Sequence, residues 1–204
     1  MKKGPSMSNE CDVVVLGTGA AGLTAALAAA HSGASVQIYE KSLLVGGTSA
    51  MSGGIIWMPN NHLQEFAGIE DSREKALAYL ESLSLGQIDS DMAATFVDKG
   101  PEMLKWVEEM TPCSFHIVAN YPDYHPEHPG GLTEGGRSLD NALFALPELG
   151  DWANQIRNHE RANRVMLTET PLGGATVLPG HDVIKQRVKK GEIGMGPALV
   201  AGLL

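Results

Sequence analysis

The stretch Cys11-Asp12-Val13-Val14-Val15-Leu16-Gly17-Thr18-Gly19-Ala20-Ala21-Gly22-Leu23-Thr24-Ala25-Ala26-Leu27 decides how this chain is read. Residues 11–16 form a short, valine-rich apolar run, as expected of a strand buried in a parallel sheet. Gly17 to Gly22 supply a turn, and residues 23–31 are nearly all Ala and Leu, small enough for a helix to lie close to that sheet. Ser32-Gly33 closes the helix, and residues 35–39 supply a second strand that ends on Glu40. The order is strand, glycine turn, helix, strand, acid. A unit of that type needs further parallel strands beside it.

Gly17-x-Gly19-x-x-Gly22 has a physical reason for each glycine. The first permits the tight turn, the second lets a pyrophosphate approach the backbone, and the third removes a side chain where helix and strand pack. Ala20 and Ala21 open the helix, whose free N–H groups face the phosphates. Glu40 comes eighteen residues after Gly22, at the strand end where a carboxylate can accept hydrogen bonds from adenosine ribose hydroxyls. A six-residue pattern of three glycines alone also fits a packed turn, and an acid at a strand end can simply face solvent. Their joint order selects a dinucleotide site, and the charge of Glu40 opposes the 2'-phosphate of NADP.

Directly after this acid comes Gly46-Gly47-Thr48-Ser49-Ala50-Met51-Ser52-Gly53-Gly54. Its glycines allow close backbone approach, and its N–H and hydroxyl groups can bind oxygens along a cofactor that extends beyond the first turn. A flexible linker would have the same composition, but its position beside the nucleotide motif favours the ligand reading and FAD over NAD.

Farther along, residues 71–83 predict a helix with Ala76, Leu77, Leu80 and Leu83 on its apolar side. Ser90 is a cap for a helix over residues 91–99, and Pro101 suits the first turn of a separate helix running to Met110. Residues 120–136 change character. Tyr121-Pro122-Asp123-Tyr124-His125-Pro126-Glu127-His128-Pro129-Gly130-Gly131 predicts an ordered, irregular loop. Residues 182–190 form a polar, basic helix candidate, and an apolar helix begins near Pro197. Trp57 is read as a core residue that could also border flavin or substrate, and Cys11 and Cys113 match no metal or disulfide spacing. His125, Glu127 and His128 offer only neighbouring loop ligands, so no metal site is expected.

Bulk properties narrow the class. With 204 residues and 43% hydrophobic composition the chain can bury a substantial core, and a net charge of -9 without a basic run longer than Lys189-Lys190 speaks against nucleic acid as partner. The amino terminus has no apolar signal segment, so a cytoplasmic setting is expected, with membrane access only peripheral.

Taken together, Glu40-Lys41, Gly46-Gly47-Thr48-Ser49 and Ser52-Gly53-Gly54 resemble the FAD-binding region of the fumarate reductase/succinate dehydrogenase flavoprotein family, and most closely its 3-ketosteroid Δ1-dehydrogenase-like branch. The resemblance spans nearly the whole chain. It implies an α/β fold with a Rossmann-like FAD-binding βαβ core, added helices and irregular loops, incomplete relative to that family. Residues 1–115 would be the first segment of the FAD domain with a helical insertion, and residues 116–204 an active-site loop leading toward a substrate domain and a second FAD segment. Gly17, Gly19, Gly22, Glu40, Lys41, Gly47, Thr48, Ser49, Ser52, Gly53 and Gly54 would lie along FAD. Tyr124 would match the tyrosine that reaches the active site, contacting substrate or assisting proton transfer without being the principal base. The implied reaction removes hydrogens from adjacent carbons next to a ketone, with a small apolar ketone as substrate and a quinone-like electron acceptor. A fumarate reductase-like flavoprotein and a binding module without activity remain as other readings. An incomplete sheet would expose apolar surface and favour self-association.

Overall fold

A computed structural model describes residues 10–161 and 163–204. Strand β1 (Val13–Leu16), helix α1 (Ala20–His31) and strand β2 (Val36–Tyr39) form the expected unit, and the strands pair in parallel from Val13↔Val36 to Leu16↔Tyr39. The strand ends are tied by Asp12, whose Oδ2 accepts from Ser35 N at 2.9 Å and Ser35 Oγ at 2.7 Å. Further parallel strands do not join this sheet among the described residues: it has two strands, and an isolated parallel bridge pairs Val45 with Ile156 outside it.

The rest of the framework is antiparallel and helical. Strands β3 (Ile56–Trp57), β4 (Phe115–Ala119) and β5 (Gly135–Asn141) make a sheet in the order β3-β5-β4, and β6 (Phe144–Ala145) pairs with β7 (Glu192–Ile193). Strands from both sides of the expected 115/116 division share the first of these sheets. Helices α2 (His62–Ala67) and α3 (Arg73–Leu83) lie between β3 and the long helix α4 (Ser90–Met110). Helix α5 (His181–Lys190) is the polar helix expected near residue 182. Helix α6 (Met195–Leu203) is buried at every position from Gly196 to Leu203, as expected of a helix that is apolar on all sides. It packs against α1 and the 3-10 turn Ser49–Met51, joining the two ends of the chain in one core that contains Leu23, Val45, Met58, Leu104, Leu139 and Val200.

One expectation fails in this region. Pro101 does not start a second helix, because α4 runs unbroken through it. The helix buries Ala93, Val97, Gly100, Leu104 and Val107 on one stripe, and a continuous buried face outweighs the roughly 3 kcal/mol cost of an internal proline. The cap is Asp89 and not Ser90, with its Oδ1 accepting from Asp91 N and Met92 N at 3.0 Å.

Candidate functional site

The two glycine motifs lock onto each other through side chains between them. Gly17 sits at φ +97°, and a Cβ on Gly22 would stand 2.2 Å from Gly17 O, so the third glycine lets the turn fold against the helix start. Thr18, which the sequence reading passed over, is almost fully buried. Its N–H and Oγ1 donate to Glu40 Oε2 at 3.0 and 2.5 Å, and its Oγ1 accepts from Gly46 N at 2.9 Å. Ser49 Oγ in turn accepts from Ala20 N at 3.0 Å, so the second motif caps the first helix.

Glu40 is therefore a structural tie as well as a ligand candidate. Its Oε1 also accepts from Ser42 N at 2.9 Å. The Thr18 hydroxyl, followed by the Ser42 and Thr18 N–H groups, holds its carboxyl down at about 2. A carboxylate has about four acceptor positions, so room for a ribose hydroxyl remains on Oε1.

Gly17, Thr18, Gly19, Glu40, Lys41, Gly47 and Thr48 line one open cleft of about 800 Å³, together with Leu16, Tyr39, Met51 and Arg157. Arg157 comes from the far half of the chain, and no motif in the sequence pointed to it. The dimensions, the half-buried glycine backbone along the lining and the acid at the strand end fit an extended dinucleotide such as FAD. Ala20, Ala21 and Gly22 form the first turn of α1, with Ser49 bonded to Ala20 N, and these four are not among the residues that line the cleft. Ser52, Gly53 and Gly54 also lie off the lining. Gly54 is buried at φ +71°, and a Cβ there would stand 2.6 Å from the Met195 carbonyl carbon. Its glycine requirement comes from the start of α6, and Gly196 N donates to Ser52 O at 3.1 Å on the same contact.

A second cavity, of about 400 Å³, is walled by Ile55, Trp57, Tyr79, Leu80, Leu83, Tyr121, Pro122, Tyr124 and His125, with Asp123 and Ser138 beneath. Its lining is mostly apolar and aromatic, with few polar groups, the usual composition of a small-molecule site. Tyr124 is exposed, and Tyr121, which the sequence reading did not single out, is half-buried beside it. Burial, followed by a side-chain hydrogen bond with Tyr124, pushes the Tyr121 phenol up.

The Tyr121–Gly131 loop is irregular as expected, and a buried ionic cluster explains why it is ordered. Arg137, fully buried, donates Nε and NH2 to Asp71 Oδ2 and Oδ1 at 2.8 and 2.6 Å, and NH1 to Asp123 Oδ2 at 2.9 Å. Asp123 Oδ1 accepts from Trp57 Nε1 at 2.7 Å, and its Oδ2 also accepts from Leu132 N at 2.9 Å. The guanidinium lies 5.4 Å from the Trp57 ring centroid and 5.6 Å from that of Tyr79. Trp57 thus ties the loop to β3 while forming the cavity wall.

His125, Glu127 and His128 bring possible ligating atoms within 4.8 Å of one another, with His125 and Glu127 exposed. His125 Nδ1 faces Glu127 Oε1 at 3.4 Å, and His128 Nδ1 faces Ser82 Oγ at 3.2 Å. Cys11 and Cys113 are free thiols. No helix among the described residues is long and apolar enough to cross a membrane.

Comparison with known proteins agrees with the cleft. Residues 12–202 match the family described as FAD binding domain. The chain is 41% identical over 194 residues to 4-oxocyclohexanecarboxylate 2-dehydrogenase of Sinomonas cyclohexanicum, covering 95% of this chain and 33% of that protein. It is 35% identical over 218 residues to 3-oxosteroid 1-dehydrogenase of Mycobacterium tuberculosis (strain ATCC 25618 / H37Rv), covering 95% and 37%. The crystal structure of 3-ketosteroid delta1-dehydrogenase from Sterolibacterium denitrificans, in complex with 1,4-androstadiene-3,17-dione, superposes with a TM-score of 0.79 at 32% identity, over 96% of this chain and 38% of that one. The chain spans about a third of the length of the curated relatives it matches. With the glycine cleft, the acidic strand end and these likenesses in agreement, the chain belongs to the FAD binding domain family, in the neighbourhood of the ketosteroid dehydrogenases.

Proposed function

We propose that this domain serves an FAD-dependent dehydrogenase that removes two hydrogens from adjacent carbons of a cyclic ketone, next to its carbonyl. The observation that carries the reading is the aromatic cavity of about 400 Å³ with Tyr121 and Tyr124 in its wall. An apolar ring packs against Ile55, Trp57 and Leu80, and the phenols supply the few polar contacts that orient its oxygen. FAD, when bound along Gly17, Gly19, Glu40, Lys41, Gly47 and Thr48, supplies the two-electron redox chemistry. Tyr124 contacts the substrate and assists proton transfer, and its partner Tyr121 is held protonated by burial. A quinone-like compound takes the electrons onward.

The relatives support both sizes of substrate, since one acts on a monocyclic oxo-acid by name and others on 3-oxosteroids. The apolar lining favours the uncharged ring of a steroid-like ketone. The chain alone is also proposed to self-associate, through the outer face of the β1–β2 sheet.

Turnover by the protein that contains this domain decides the matter. With an artificial electron acceptor it is expected to oxidise a 3-ketosteroid or 4-oxocyclohexanecarboxylate. Fumarate reduction without ketone turnover would sink the proposal. Tyr124→Phe should lower ketone turnover by about 10- to 100-fold, within the range of assisted proton transfer, while flavin content stays unchanged. An equal loss of flavin and turnover would make Tyr124 a loop anchor only.

A further inference from the structure

Arg157 stands 115 residues beyond Ser42, yet its guanidinium NH2 donates to Ser42 Oγ at 3.0 Å, at the rim of the glycine cleft. The backbone fixes it there. Val45 N donates to Gln155 O at 2.7 Å, Arg157 N donates to Val45 O at 2.8 Å, and Ile156 between them is fully buried. The side chain is thus delivered to the cleft by a short parallel pairing and is not a wandering surface arginine.

Its charge is uncompensated. Arg137 has two aspartates, Arg187 has Glu169 and Arg73 has Asp98, but no carboxylate forms an ion pair with Arg157 among the described residues. Arg157 is half-buried, and its Nε is shielded from solvent without a hydrogen-bond partner. Holding a cation partly out of water with one hydroxyl for company is costly unless an anion completes the site. Glu40, the acid of the cleft, is already engaged by Thr18 and Ser42. The helix start is partly spent as well, because Ala20 N donates to Ser49 Oγ and its N–H is not free for a phosphate.

We propose that Arg157 is the fixed cation that binds the diphosphate of FAD, an assignment that rests on the FAD-binding role of this domain. A guanidinium presents several N–H donors in a planar fork, suited to phosphate oxygens, and Arg157 lines the cleft with its NH2 bonded to Ser42 Oγ. Ser42 aims the group, and the pairing of Val45 with residues 155–157 holds Arg157 at the cleft.

The test uses the purified 204-residue chain, titrated with FAD by flavin fluorescence and with ADP and adenosine as competitors. Arg157→Gln should weaken FAD and ADP by about 10- to 100-fold, the worth of a charge-assisted hydrogen bond, and leave adenosine within about 2-fold of wild type. Arg157→Lys, keeping charge without the fork, should fall between. Unchanged ADP affinity in Arg157→Gln overturns the assignment, and so does an equal loss for ADP and adenosine. Should Arg157→Gln fail to fold by circular dichroism, Ser42→Ala keeps the guanidinium but not its aim. That variant must still lose ADP affinity selectively over adenosine, and an unchanged value overturns the proposal. A wild-type chain that binds neither FAD nor ADP overturns this proposal together with the FAD reading beneath it, whereas binding that is indifferent to Arg157 overturns Arg157 alone.

Discussion

Gly22 has no room for a methyl group. A Cβ would stand 2.2 Å from Gly17 O and 3.4 Å from Val15 Cγ1, and both belong to backbone or core that cannot swing away. Gly22→Ala should therefore cost about 1–3 kcal/mol, the usual penalty for overpacking, read as a lower urea midpoint in the absence of cofactor. An unchanged midpoint with weakened FAD binding would assign the glycine to ligand approach instead. This residue was legible in sequence because a spacing rule carries its geometry. Thr18 was not, since the middle of Gly-x-Gly is free by that rule, and only the folded chain brings its hydroxyl between Glu40 Oε2 and Gly46 N. Gly54, expected along the cofactor, also has a packing reason that spacing does not reveal, since a Cβ there would meet the start of α6.

Among the elements, β5 (Gly135–Asn141) is the one that sequence pattern conceals. It is buried along its whole length yet reads Gly-Gly-Arg-Ser-Leu-Asp-Asn, with neither alternation nor an apolar run. Burial is made affordable by pairing: Arg137 meets Asp71, two residues before α3, and Asp123 from the Tyr121–Gly131 loop. Burial pushes the Asp71 carboxyl up, but the hydrogen bonds and charge of Arg137, with N–H groups of Asn60 and Ser72, outweigh it and hold it below the usual range. Arg137→Met leaves two buried carboxylates without a counter-charge and should cost about 3–5 kcal/mol at neutral pH. A depressed carboxyl contributes stability above its unfolded value and loses it as pH falls through the folded one. The gap between variant and wild type should therefore narrow below about pH 4, where the unfolded aspartate begins to bind its proton. Urea denaturation at pH 7 and at about pH 3 measures both, and a pH-independent gap would mean that packing against Trp57 and Tyr79, not charge, is what Arg137 contributes.

At the scale of the molecule, one face of the β1–β2 sheet is left uncovered by the described residues. Val14, Leu16 and Tyr39 point outward from β1 and β2, and are 54%, 81% and 57% exposed, although parallel sheets are normally buried on both faces. The isolated chain should associate through this face, and a Val14→Thr, Leu16→Thr double variant should run as a smaller species in light scattering. A monomeric wild-type chain at the same concentration would remove the face from consideration as a contact.

The sequence by itself determined the βαβ unit with its glycine turn and the irregular tyrosine loop, and its resemblance to a flavoprotein family pointed to FAD. The unit and the loop rest on short-range spacing, where a few residues dictate dihedrals, periodicity and contact. Tertiary structure alone decided what holds those parts together: the Thr18–Glu40 tie, the Arg137 cluster under the loop, the unbroken course of α4 through Pro101 and the delivery of Arg157 to the cleft. These depend on contacts between residues as far apart as Ser42 and Arg157, and on burial strong enough to outweigh local preference. No local spacing encodes either.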